Sequence, residues 1–301
     1  MKSVSTIGIC VALAMSLPGL ALAANIKSFV ASSGSDAAGC TRAAPCLTFQ
    51  GALAKTDPGG LIACLDAADF GPMTIIQAVS IVCDGARGSI LQQGSAPAVK
   101  IQAGASDAVV LSGLDLQGAG STAAWGTAVD IVSARSVLLD HGTVSGFTSG
   151  AAIAIYCENI TPMTLAVANT MFSNNGTGMY CQPQADTASL KIVLHHTQFV
   201  ANIEGLVEGS STSRPVDVSI SDSLFSMNSN GVDLRGGAVA ISSSTIVDNY
   251  VGVNSSANVH LSSSTLVNII NTTASPPLVT YGDNQIDGTT YGWAITTAPL
   301  K

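Results

Sequence analysis

The 301-residue chain is 47% hydrophobic but only 10% charged and 5% aromatic, with a formal net charge of −8. An acidic, lysine-poor surface argues against nucleic acid and anionic membranes as partners, and so few rings argue against a propeller or a lectin sandwich built on ring packing. No Pro/Ser-rich linker or charge run divides residues 24–301, which read as one domain.

Residues 1–23 have the pattern of a secretory signal peptide. Lys2 supplies the positive start, residues 7–20 the apolar stretch, and Ala21-Leu22-Ala23 the small-x-small cleavage site. The short run, interrupted at Pro18-Gly19 with no charged stop after it, argues against a membrane anchor, and no later segment is apolar enough to span a bilayer. Export to the periplasm or the exterior is therefore expected. Loss of Lys2 with the leader would move the net charge from −8 to −9.

Residues 48–55 (TFQGALAK) form a short amphipathic segment that predicts a helix within an N-terminal cap at about 24–60, closing an exposed sheet edge. Pro58-Gly59-Gly60 and a first strand at 61–65 follow. Apolar residues then alternate between Gly or Asn punctuation, predicting strands at 79–82, 99–101, 109–111, 129–131 and 137–139.

After the midpoint one phrase recurs: LAVANTMFSNNGTGM, IVLHHTQFVANIEGL, VSISDSLFSMNSNGV and VAISSSTIVDNYVGV. Phe172, Phe199, Phe225 and Ile246 mark steps of 27, 26 and 21 residues. A repeated unit with a drifting step predicts a solenoid of strands, with the variation absorbed in loops. The fold class expected is all-β: a single-stranded, right-handed parallel β-helix of about nine or ten coils, at roughly 20–28 residues per coil. Phe172, Phe199, Phe225, Ile246 and Leu266 should stack inside. Asn175, Asn202, Asn228 and Asn249 should form an amide ladder at one turn, a role that also accounts for triplets such as Asn175-Gly176-Thr177. After Pro276-Pro277 the pattern gives way to YGDNQIDGTTYGW, which reads as a C-terminal cap at about 275–301.

Six cysteines follow the leader: Cys40, Cys46, Cys64, Cys83, Cys157 and Cys181. Cys64 and Cys83 occupy matching strand positions, as do Cys157 and Cys181. One coil step of about 4.8 Å lies within the Cα separation a disulfide tolerates, so each pair should bridge adjacent coils, and Cys40–Cys46 should close a small loop. There is no Cys-x-x-Cys, and the four histidines do not cluster with the thiols, so no metal site is expected there.

Three stretches resemble right-handed parallel β-helix proteins of the pectin-lyase-like superfamily. FVASSGSDAAGCTRAAPCLTFQGAL (residues 29–53) is similar to the N-terminal Gly-x-Asp … Pro-x-x-Thr-φ-Gln-x-Ala pattern of exported bacterial β-helix proteins. AVDIVSARSVLLDHGTVSG (128–146) is similar to a pectate-lyase strand–turn–strand, and YGDNQIDG (281–288) to the terminal cap of an uncharacterised exported group. The resemblance implies the fold and, if lyase-like, a Ca²⁺ site. Val132 and Ser133, however, stand where the family's second acidic pair is expected, and neither Arg-x-Pro-x-x-Arg nor the polygalacturonase motifs occur.

Asp140-His141 could act as an acid–base pair, but this pair better fits the tight turn of the asparagine ladder. His195-His196 suggests a metal pair, yet adjacent strand residues face apart and could not share an ion. The Ser-rich run at 242–245 lacks a paired His and Asp, so no nucleophilic catalysis is expected.

The better candidate is an outward column on the strand after the Gly of each unit. Tyr156, Glu158, Tyr180, Gln182, Asp233 and Arg235 should point out, with Lys100 and Asp130 in comparable places nearer the start. Tyrosines flanked by carboxylates and amides suit sugar rings. The favoured function is a non-catalytic carbohydrate-binding or cell-surface structural protein without cofactor. The alternatives are a polysaccharide lyase or glycoside hydrolase, with Glu158 paired to Asp130 or Asp233 as the carboxyls to test, and a surface adhesin. The sequence assigns no oligomeric state.

Overall fold

The computed structural model describes residues 25–119, 126–148, 152–209, 216–267, 269–272, 278–292 and 295–299; the leader expected at 1–23 lies outside them. The described strands form three parallel sheets of twelve, nine and ten members, here sheets A, B and C. From Val79 onward the chain visits them in the order A, B, C and returns to A one coil further on, so sheet neighbours there are equivalent strands of adjacent coils; before that, Asn25–Val30 and Thr56–Cys64 lie in sheet A and Met73–Ile75 in sheet C. This is a parallel β-helix, and the nine and ten strands of sheets B and C match the coil number expected.

Alternation drives the wall. In Leu190–His195 the burial runs buried-exposed-buried-half-buried-buried-exposed, placing Leu190, Ile192 and Leu194 inside. The ladder forms as expected: Phe172 pairs with Phe199, Phe199 with Phe225, Phe225 with Ile246 and Ile246 with Leu266. The phenylalanine rings stack at 4.7 and 4.8 Å, and all three are fully buried. Burial of each ring stabilises by about 1.5–3 kcal/mol, and stacking adds about 0.5–1.5 kcal/mol. The glycine of the repeated phrase lies beside this ladder: a Cβ at Gly178 would stand 2.7 Å from both the Phe199 ring and the Gly205 carbonyl oxygen.

At the corner after sheet B, Asn174, Ala201, Met227 and Asp248 have φ between 53 and 56°, and the asparagine ladder follows directly. Asn175 Nδ2 donates to Asn202 Oδ1 at 3.0 Å, Asn202 to Asn228 at 3.1 Å and Asn228 to Asn249 at 2.9 Å. The same oxygens accept the backbone N–H of the preceding coil's asparagine.

A second ladder, missed in the sequence, lines the corner between sheets A and B. Thr197, Ser223 and Ser244 each donate a backbone N–H to the hydroxyl one coil on, ending with Ser244 to Ser264. The Ser-rich runs are thus corner-forming. Asp140-His141 belongs to this corner and not to the asparagine turn. His141 has φ 50° and sits one coil before Asn169, whose φ is 47°.

The helix spans Phe49–Leu53, shorter than the expected 48–55, and Thr48 caps it by accepting from the Gly51 N–H at 2.9 Å. The Gly-x-Asp … Thr pattern has a physical reading here: Asp36 accepts the Leu47 and Thr48 N–H groups at 2.9 and 3.0 Å. Burial raises the Asp36 pKa, but the Thr48 and Leu47 hydrogen bonds and the charge of Lys55 outweigh it and hold the group below its ordinary value.

Two boundaries differ from expectation. Sheet A begins with Asn25–Val30, paired to Thr56–Cys64, so the strand expected at 61–65 is the second of its sheet. After Pro276-Pro277 the coil continues: Val279–Tyr281, Gln285–Asp287 and Thr290–Gly292 extend sheets A, B and C, with Ile286 next to Leu266.

The three disulfides pair as expected. Cys40–Cys46, Cys64–Cys83 and Cys157–Cys181 have Cα separations of 4.6, 4.9 and 4.4 Å. No helix among the described residues is long and apolar enough to cross a membrane.

Candidate functional site

Register on sheet C aligns one outward residue per coil. Lys100 pairs with Asp130, Asp130 with Tyr156, Tyr156 with Tyr180, Tyr180 with Val207, and Val207 with Asp233. Lys100, Asp130, Tyr156, Tyr180 and Asp233 therefore share one row of the sheet, and Val207 divides them into two groups.

The first group is compact. Tyr156 and Tyr180 are half-buried, with ring centroids 5.9 Å apart. Directly behind them in the strands, Cys157 and Cys181 face inward and form the coil-to-coil disulfide, so one covalent link fixes the spacing of the tyrosine-bearing strands. The Tyr180 hydroxyl donates to Gln182 Oε1 at 2.9 Å. Gly209 leaves room for this pair, since a Cβ there would stand 3.3 Å from Gln182 Cβ and 3.5 Å from the Tyr180 hydroxyl.

Asp130 is only 7% exposed, deeper than an exposed column implies. Lys100 Nζ lies 3.5 Å from its Oδ2, while Oδ1 is buried with no hydrogen-bond partner among the described residues. Burial raises the Asp130 pKa, and Lys100 only partly opposes this. Glu158 is also raised, first by burial and then by the charge of Asp130, against the lowering effects of Lys100 and a hydrogen bond with Tyr156. Burial, then the charge of Glu158, raises Tyr156 in turn. Two carboxyls thus share a half-buried patch, and the charge of Asp130 disfavours ionisation of Glu158.

The second group is an internal ion pair. Arg235 Nη2 and Nε donate to Asp233 Oδ2 at 2.9 and 3.2 Å, and Asn254 Nδ2 donates to Oδ1 at 3.0 Å. With both oxygens engaged and three coil steps, about 14 Å, from Tyr156, Asp233 does not form the carboxyl pair with Glu158 that the sequence allowed.

Glu208 escaped the sequence reading. It occupies the inward position next to Cys181, is fully buried, and accepts the Arg235 and Gly236 N–H groups at 2.9 Å. The polar residue at an inward register position in GLVEG was the available signal.

The residues here do not fit a Ca²⁺ site. Calcium takes 6–8 oxygen ligands, whereas an ammonium stands against one Asp130 oxygen and Glu158 is the neighbouring carboxylate.

His195 and His196 also depart from expectation. The strand ends at His195, and His196 takes φ 50°, which breaks the alternation. Both side chains are exposed on one side, with ring centroids 4.0 Å apart.

No family model matches this chain, and no curated protein matches it. Among solved structures, the crystal structure of pectate lyase Pel9A aligns over 90% of this chain and 72% of its own, at 14% identity and a TM-score of 0.49. The parallel β-helix described above is defined by the strand registers independently of that likeness.

Proposed function

We propose that this chain is an exported β-helix protein that binds polysaccharide on the outer face of sheet C. The observation carrying this reading is the tyrosine pair in register on adjacent coils, with Gln182 and Glu158 beside it. Tyrosine faces offer an apolar platform to sugar rings, and the amide and carboxyl groups accept or donate to hydroxyls. Successive coils repeat at about 4.8 Å, so the platform extends along the solenoid axis as a chain ligand requires. The disulfides suit an oxidising compartment, in line with the leader.

A second reading, a polysaccharide lyase or glycoside hydrolase, is favoured by one observation: the pKa values of the neighbouring Glu158 and Asp130 are both raised by burial, the direction a general acid requires. A glycan array on the wild type, followed by assay of the bound glycans for new reducing or unsaturated ends, separates the readings. Binding without product supports the binding function. Product formation abolished by Glu158→Gln or Asp130→Asn makes the protein an enzyme. Failure to bind any glycan moves the function to a structural or adhesive surface role.

A further inference from the structure

We infer that His195, His196 and Asp222 form a binding site for a divalent transition-metal ion at the corner between sheets A and B. Each offers one ligand atom, and these atoms all lie within 4.8 Å of one another. The corner itself creates the cluster. His195 is the last outward residue of its strand, while His196 and Asp222 occupy the same left-handed corner position one coil apart, at φ 50 and 51°. His195 Nδ1 already lies 3.4 Å from Asp222 Oδ2 and 3.0 Å from Ser221 Oγ.

Ligands about 2.1 Å from a tetrahedral ion stand about 3.4 Å apart, so small side-chain rotations of these exposed groups would close the set. Two imidazoles and one carboxylate suit Zn²⁺, Cu²⁺ or Ni²⁺ rather than Ca²⁺ or Mg²⁺. Three protein ligands leave at least one coordination position open. His196 also lines two neighbouring surface depressions of about 510 and 440 Å³, so an ion held there would face accessible space.

The test uses tag-free protein titrated with ZnCl₂ and NiCl₂ by calorimetry, and with CuCl₂ by electron paramagnetic resonance to count coordinated nitrogens. The variants are His195→Ala, His196→Asn and Asp222→Asn; asparagine is chosen at the two corner positions because it tolerates φ near 50°. His141→Asn serves as the control at the same corner, where His141 also has φ 50°. We expect one ion per chain, two imidazole nitrogens on copper, at least tenfold weaker binding in each of the three variants, and unchanged binding in the control. Absence of saturable binding by the wild type, or equal binding by His196→Asn in protein with unchanged circular dichroism, would overturn the site.

Discussion

Glu158 shows how a solenoid face alters single-residue chemistry. Its carboxyl lies against Tyr156 and near Asp130, and burial together with that neighbouring charge raises its pKa above the ordinary 4.5. A carboxyl raised on folding contributes stability fully present below its unfolded pKa and lost as pH rises through the folded value. Glu158→Gln cannot ionise, so its melting temperature should gain on the wild type as pH rises from about 4.5 and then level off. Thermal melts across pH 3–8 check this; parallel curves for the two proteins would show that Glu158 is not perturbed. The outward positions of Tyr156, Tyr180 and Gln182 were legible from alternation alone. The depth of Asp130 and the hold of Asn254 on Asp233 were not, because each depends on the adjacent coil, and the Arg235–Asp233 pair within one coil depends on a side-chain conformation that alternation does not set. His195-His196 was misread for a related reason: a single left-handed residue undoes a period of two, and the sequence does not mark where the strand ends.

The recurring elements are corners as much as strands. Asn175, Asn202 and Asn228 each serve two coils, the oxygen taking an amide from the coil before and Nδ2 reaching the coil after. Asn202→Ala would leave the Asn175 amide groups and the Phe172 carbonyl without their partner in a buried turn. Losing several buried hydrogen bonds at once should cost about 2–4 kcal/mol, measurable by urea unfolding; a loss below about 0.5 kcal/mol would mean that water replaces the ladder. This ladder was readable because asparagine recurs at one place. The hydroxyl ladder was not, because Ser and Thr are abundant everywhere in the chain and signal little when they repeat. The coil after Pro276-Pro277 was hidden in the same way: Tyr281, Asp283, Asn284 and Asp287 obscure an alternation carried only by short strands.

Along the described coils the strand pairings join neighbours, so stability is distributed largely as nearest-neighbour interfaces, although Arg87 reaches two coils on to the His141 carbonyl at 3.3 Å. The Cys157–Cys181 link spans one such interface, directly behind the tyrosine pair. Closing a loop of 24 residues should stabilise by about 3 kcal/mol. The Cys157→Ala/Cys181→Ala variant should therefore unfold at lower denaturant and also bind glycan more weakly, since the spacing of the platform is no longer fixed. Lower stability with unchanged affinity would confine the disulfide to a structural role.

The central claim is that the sheet C face recognises polysaccharide through Tyr156 and Tyr180. Affinity electrophoresis through gels cast with polysaccharide tests it most directly. The account predicts retardation of the wild type, weakened by about 1–3 kcal/mol for each of Tyr156→Ala and Tyr180→Ala, the scale of one large apolar contact, while the mobility of all three proteins is equal in gels without polysaccharide. Undiminished retardation of both variants, folded by circular dichroism, would contradict it.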